Sequence, residues 1–356
     1  MSAVESTTPA AAPPAAAAAP TETSADPTKD VAVADPEANK TQAPLLAPGA
    51  PEASEVSKDH EVKEAPAPKE AEKPAAPTLS PIAQLWAAAK SHGHPEIWGV
   101  TLADPEAHVP TRIVLQKYLN ANDGDVSRAK EQLTKTLDWR AKMKPLELVE
   151  KAFDKSKFGG LGYVTSYSAD EASTDPEVKE VFTWNIYGSV KSIDATFGNL
   201  EEFIQWRVAL MELALRSLSL STATVPIPAD GSQDPYKIYQ VHDYKSISFL
   251  RSPANVRTAS SETIRVFAQN YPELLKEKFF VNVPAFMGFV YAFMKRFVAA
   301  KTIRKFHPMS NGANLAREFV VEGKSKVQEL AGRLPVEYGG EGGELGVQGK
   351  ETLLGE

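Results

Sequence analysis

Residues 236–249 read YKIYQVHDYKSISF. Tyr, Ile and Val crowd the stretch and Pro235 bounds it upstream, which predicts a β-strand. Side chains two apart on a strand share a face. Ile238, Gln240, His242, Tyr244 and Ser246 therefore line one face, and Tyr239, Val241, Asp243, Lys245 and Ile247 line the other. The first face is too polar for an ordinary core and too aromatic for an ordinary surface. Two readings stay open: a cavity wall with an imidazole beside a phenol, or a half-exposed strand with two hydrogen-bonded side chains.

Upstream, 199–220 predicts a long helix with Leu200, Phe203, Ile204, Met211, Ala214 and Leu218 at steps of three and four. Arg207 falls on that apolar stripe. A buried guanidinium is costly unless an anion meets it. Arg207 therefore snorkels, pairs with a nearby carboxylate, or serves a bound anionic group. Segments 159–168 and 181–188 read as strands. Segments 79–94, 111–120 and 126–143 read as helices, with Ser80 and Asp125 as caps. His92 and His94 end the first; two apart on a helix, they diverge and fit a solvated helix end better than a metal site.

Downstream, a helix runs from Ser252-Pro253 to about 270, and FFVNVP (279–284) reads as a buried strand. Segment 284–298, PAFMGFVYAFMKRFV, is a helix apolar nearly all round, so it is buried or faces a membrane. It is too short, and too close to Lys295-Arg296, to span one. A short strand at 303–310 and a final helix at 313–330 complete the expectation. Helices first, then strands alternating with helices, predict an α/β domain with a mixed sheet flanked by helices.

The chain has 356 residues and a formal charge of −7. Residues 1–79 hold 13 acidic and six basic residues and no aromatic one, so they account for the whole imbalance. They cannot bury enough apolar surface to fold and are expected to form a disordered acidic tail. The remainder is neutral, which argues against nucleic acid as a partner. There is no secretory leader pattern and no apolar run long enough to span a bilayer, so a cytoplasmic protein is expected. The absence of cysteine excludes disulfides, thiolate catalysis and thiolate metal ligation. No G-x-S-x-G elbow, P-loop, G-x-G-x-x-G or His-Glu-x-x-His pattern occurs, so a binding protein is expected rather than an enzyme.

Three motifs in order carry a resemblance. VLQKYLNANDGDVSRAKEQLTKTLDWR (114–140) is similar to the helical module of the CRAL-TRIO lipid-binding family. YPELLKEKFFVNVPAFMGFVYAFMKRFVAAKTIRK (271–305) resembles its signature, and LPVEYGG (334–340) its closing motif. The resemblance covers 112–340. It implies a helical module at 80–155, a lipid-binding domain at 156–340 with a mixed sheet, one deep cavity and a mobile gate helix (284–298), and a flexible tail at 341–356. It also implies phosphatidylinositol as ligand, with Glu273, Thr302 and Lys305 around the inositol phosphate. A carboxylate for hydroxyls, and an ammonium and a hydroxyl for phosphate, make chemical sense. One departure stands out. Where the family carries a basic run, this chain has YLNANDGD, with Asn120, Asn122 and Asp123.

KYLN, FIQWRVALMELAL and QVHDYK further resemble a non-classical fungal subfamily that binds ferric haem b in the cavity through an axial tyrosine. By position this implies Tyr244 as the iron ligand, with His242, Arg207 and Tyr118 around the haem. It also implies work at membranes, the endoplasmic reticulum among them, in phosphoinositide homeostasis or haem and oxidant stress. Ferric iron accepts a phenolate, and a phenol needs a nearby positive charge to ionise at neutral pH. The competing expectation is an ordinary phosphatidylinositol carrier in which these side chains merely line the cavity.

Overall fold

Helix α1 (Pro81–His92) begins where the Ser80 hydroxyl accepts from the Ala83 amide, and it stops at left-handed Gly93. A two-residue pair follows, β1 (Glu96–Ile97) and β2 (Val100–Thr101). Helices α2 (Val109–Ala121) and α3 (Val126–Met143) come next, the latter capped by the Asp125 carboxylate. The computed structural model describes residues 79–169, 178–246, 253–283, 304–321, 323–325 and 327–356. The acidic segment 1–78, the expected gate helix 284–298 and Thr302 lie outside the described residues.

After α4 (Pro145–Val149), β3 (Phe153–Asp154) and α5 (Lys155–Phe158), the chain builds its main sheet from β4 (Gly162–Ser168), β5 (Lys179–Ile186), β6 (Ile238–Asp243), β7 (Leu275–Val281) and β8 (Phe306–Pro308). The order is β4-β5-β6-β7-β8. The first pair is antiparallel and the rest are parallel, so the sheet is mixed. Parallel neighbours need crossovers. Helices α6 (Ile193–Phe197) and α7 (Leu200–Leu218) serve between β5 and β6, and α8 (Ala254–Asn270) between β6 and β7.

The two sheet faces differ in chemistry. Phe182, Trp184, Tyr239, Val241, Phe279 and Val281 form an apolar face, packed against Leu315, Phe319, Leu334 and Tyr338. On the opposite face the register aligns Thr183 with Gln240 and Lys278, and Asn185 with His242 and Phe280. Helix α7 packs on β4 and β5.

The helical module is keyed to the sheet by a buried ionic knot. Arg140 on α3 donates to Glu212 on α7 at 2.7 Å and to Glu96 at 2.8 Å. The Tyr271 hydroxyl donates to Glu212 at 2.8 Å. From Leu79 onward the described residues accordingly belong to one compact unit.

Two expectations are corrected. The final helix at 313–330 is instead a 3-10 helix, Gly312–Phe319, and a separate turn of helix, Leu330–Arg333. β-Branched Val320 and Val321 follow the first, then left-handed Gly323, a poor sequence for continuing a helix. The stretch 341–356 is not a loose tail. Lys350 and Val164 exchange both backbone hydrogen bonds at 2.9 Å, closing the free edge of β4. β9 (Leu354–Gly355) pairs in parallel with β3, and Leu345 and Thr352 are buried. Few apolar residues sufficed, because backbone pairing holds the segment.

Candidate functional site

The decisive strand is shorter than its sequence pattern. β6 closes at Asp243, yet the Tyr244 amide still donates to the Val281 carbonyl at 3.1 Å, so the pleat carries one residue further. The Asp243 carboxylate then accepts from the Lys245 amide at 2.8 Å, and Ser246 turns left-handed. The same carboxylate accepts from Asn282 at 2.8 Å and from the Tyr338 hydroxyl at 2.9 Å. Asp243 thus ties together three segments directly behind Tyr244.

His242 and Tyr244 do share a face. The Tyr187 ring lies 5.5 Å from the His242 ring and 5.6 Å from that of Tyr244. The Phe280 ring meets both from the other side, at 5.8 and 6.4 Å. Tyr187 reaches this position from a tight turn beyond β5 because Gly188 lets two backbones touch; a methyl group there would collide with the Lys245 carbonyl.

Arg207 is 3% exposed, so it does not snorkel. It donates through Nη1 to Oδ1 of Asn185, a neutral amide held in turn by the Val241 carbonyl at 3.2 Å. Its guanidinium lies 5.4 Å from the Phe267 ring and 5.8 Å from that of Trp206. Nε of Arg207 and Nε2 of His242 are buried without a hydrogen-bond partner among the described residues.

Lys278 is a third basic group on this face. Its ammonium sits 5.3 Å from the Phe280 ring and 5.9 Å from that of Phe306, and no described carboxylate pairs with it. Burial first, and Arg207 second, bring it down to about 7. Burial also holds His242 well below its ordinary value, with Lys278 and Arg207 adding repulsion. Burial pushes the Tyr244 phenol upward; Tyr187 adds to this and Arg207 opposes it. Lys278 and Tyr244 are half-buried. The face therefore combines a guanidinium, a lysine that titrates near neutrality, an imidazole and a phenol with no described counter-anion. Such a set favours an anionic ligand.

Tyr118 does not join this group. It stacks on Trp98 at 5.6 Å in the core of the helical module, and its charged neighbours are Arg140, Glu212 and Glu96. Asn185, Tyr187 and Lys278, which the sequence did not single out, stand there instead. Only cross-strand register and a tight turn assemble them.

The second expected site is partly visible. Glu273 and Lys305 come together at 3.9 Å, and Lys237 lies 3.9 Å from the same carboxylate. No helix of the described residues is long and apolar enough to cross a membrane.

Comparison with known proteins shows the family. The CRAL/TRIO domain family matches residues 184–340, and its N-terminal domain matches 69–135. A Neurospora crassa protein named phosphatidylinositol transfer protein sfh-5 is 60% identical over 278 residues, covering 78% of this chain and 75% of that protein. The chain belongs to the Sfh5 group of the CRAL/TRIO family. An Sfh5 protein of Chaetomium globosum is 72% identical over 275 residues, 77% of this chain and 62% of its own length. One from Pyricularia oryzae is 64% identical over 273 residues, and the chain spans 66% of it. The chain thus covers somewhat less than two thirds of these last two Sfh5 relatives. The crystal structure of an Sfh5 protein superposes with a TM-score of 0.59 at 24% identity, over 77% of this chain and 93% of that one, and shows the shared fold.

Proposed function

We propose that this protein is a non-enzymatic phosphatidylinositol carrier that also binds ferric haem b on the polar face of its sheet, with Tyr244 as the axial ligand. The observation that carries the reading is the convergence of Arg207, Lys278 and His242 without a described carboxylate, beside the half-buried Tyr244.

The residues present fit haem. Its propionates answer the unmatched charge of Arg207 and Lys278. The Nε2 of His242, buried without a described partner, would hydrogen-bond the phenolate or a group near it. Tyr187 and Phe280 flank the phenol and exclude water around it. Ferric haem supplies a hard Lewis-acid centre with which a phenolate pairs well. Tyr118 has no part in this set.

Support for phosphatidylinositol comes from the names carried by the Sfh5 relatives and from the meeting of Glu273 with Lys305. Segment 284–298 is proposed as the gate that opens at a membrane surface, the endoplasmic reticulum included. Phosphoinositide homeostasis and a response to haem or oxidants are the cellular roles this predicts.

Paired variants test the two activities. Tyr244→Phe is expected to lose iron ligation and keep phosphatidylinositol transfer. Glu273→Val and Lys305→Ala are expected to lose transfer and keep haem. Haem binding untouched by Tyr244→Phe would refute the ligand assignment. A colourless protein that still moves phosphatidylinositol would favour the ordinary carrier.

A further inference from the structure

Glu273 occupies the left-handed region, at φ 55°, in the turn before β7. Its carbonyl accepts from Lys117 of α2 at 3.0 Å. The Lys117 ammonium also donates to the Asp234 carboxylate at 2.5 Å and to the Tyr236 carbonyl at 2.8 Å. Both side chains of the Lys117–Asp234 pair are buried. This lysine is therefore committed to holding three segments together, and its charge is cancelled in place.

The basic side chain near the end of α2 is Arg128 of α3, which donates to the Asn122 carbonyl at 3.0 Å and to the Asp125 carboxylate at 3.1 Å and so is engaged within the helical module. Asn120 packs against the 228–231 loop, and the Asn122 side chain donates to Tyr118 and Gln132 within the helical module. The cations beside the Glu273 carboxylate come from elsewhere. Lys305 lies just before β8 and Lys237 just before β6, each with its ammonium 3.9 Å from that carboxylate. Lys237 is also 3.7 Å from Asp234. These separations exceed hydrogen-bond length, so Lys237 is attracted to its carboxylates without being locked to them. Once Lys117 and Asp234 cancel, the described charges around Glu273 leave one net positive charge.

We propose that Lys237 is the second cationic contact for the phosphodiester of the inositol lipid, acting with Lys305 in place of the basic run missing at 120–123. The inference rests on the phosphatidylinositol reading above. The site's single excess charge matches a singly charged phosphodiester, while the Glu273 carboxylate accepts from inositol hydroxyls. An extra phosphomonoester on the ring would bring more negative charge than the site neutralises.

The test is transfer between phosphatidylcholine vesicles carrying labelled phosphatidylinositol or phosphatidylinositol 4-phosphate. Lys237→Met keeps the aliphatic stem and is expected to lower the phosphatidylinositol rate about tenfold or more. Lys237→Arg is expected to keep most of it. Hemin loading and the thermal midpoint of both variants should match the parent, which separates head-group contact from folding. An active parent with an equally active Lys237→Met overturns this inference and leaves the carrier reading standing. An inactive parent overturns both. Faster transfer of the 4-phosphate by the parent overturns the charge match.

Discussion

Arg207 of α7 donates to Asn185 of β5, a neutral amide, inside a face where Lys278 and His242 add further basic character. A folded chain normally meets a buried guanidinium with a carboxylate. Leaving it against an amide costs stability in the empty protein and keeps the charge available to a ligand. The Arg140 site of the same molecule shows the alternative, with two glutamates around one guanidinium.

Arg207→Met should therefore leave the ligand-free protein as stable as the parent, or stabilise it by up to about 2 kcal/mol, while weakening haem binding. Denaturant midpoints and hemin titrations measure the two effects. A large loss of stability would mean that Arg207 is structural.

Lys278 gives a pH signature. Its folded-state value, about 7, lies below the ordinary lysine range. Between that value and the ordinary one, the unfolded chain binds a proton that the folded chain lacks, so this group makes stability rise with pH across the window. Below pH 7 both states are protonated, and the penalty is present in full. An anionic ligand restores the ammonium, so binding near pH 8 should take up a proton. Calorimetry in buffers of different ionisation enthalpy detects this uptake, and Lys278→Met should abolish it.

Breaking the ionic knot should act on stability rather than on the ligand face. Glu212→Leu strands Arg140 with only Glu96 and removes the acceptor of Tyr271, at a cost of roughly 3–5 kcal/mol by chemical denaturation. Proportionate loss of hemin affinity in the protein that remains folded would contradict the separation.

Tyr338→Phe removes one of three hydrogen bonds to the Asp243 side chain and should cost about 1–3 kcal/mol. Because Asp243 fixes the turn after Tyr244, the absorption of the haem-loaded variant should shift as well. Gly188→Ala should produce a larger shift by driving Tyr187 and Lys245 apart.

Much of this was legible in the sequence. The period of two in QVHDYK placed His242 and Tyr244 on one face, and the misfit of Arg207 on an apolar stripe marked a guanidinium that is buried and meets an amide. Lys278 was not legible because β7 begins at Leu275, in a run of alternating charges that does not read as strand interior. Its place beside Gln240 is a matter of register, which local sequence does not encode. Tyr118 was misplaced for the converse reason: a motif position says which residue type recurs, not which core it enters. The C-terminal return was hidden because backbone pairing with Val164 and Phe153 carries it, and backbone has no sequence signature.

The most direct test is an absorption spectrum of the purified protein, before and after hemin and then dithionite, beside Tyr244→Phe. The account predicts a Soret band with ferric high-spin features that resists reduction, and its loss in the variant. A protein that stays colourless with excess hemin, or a spectrum identical in Tyr244→Phe, would contradict it.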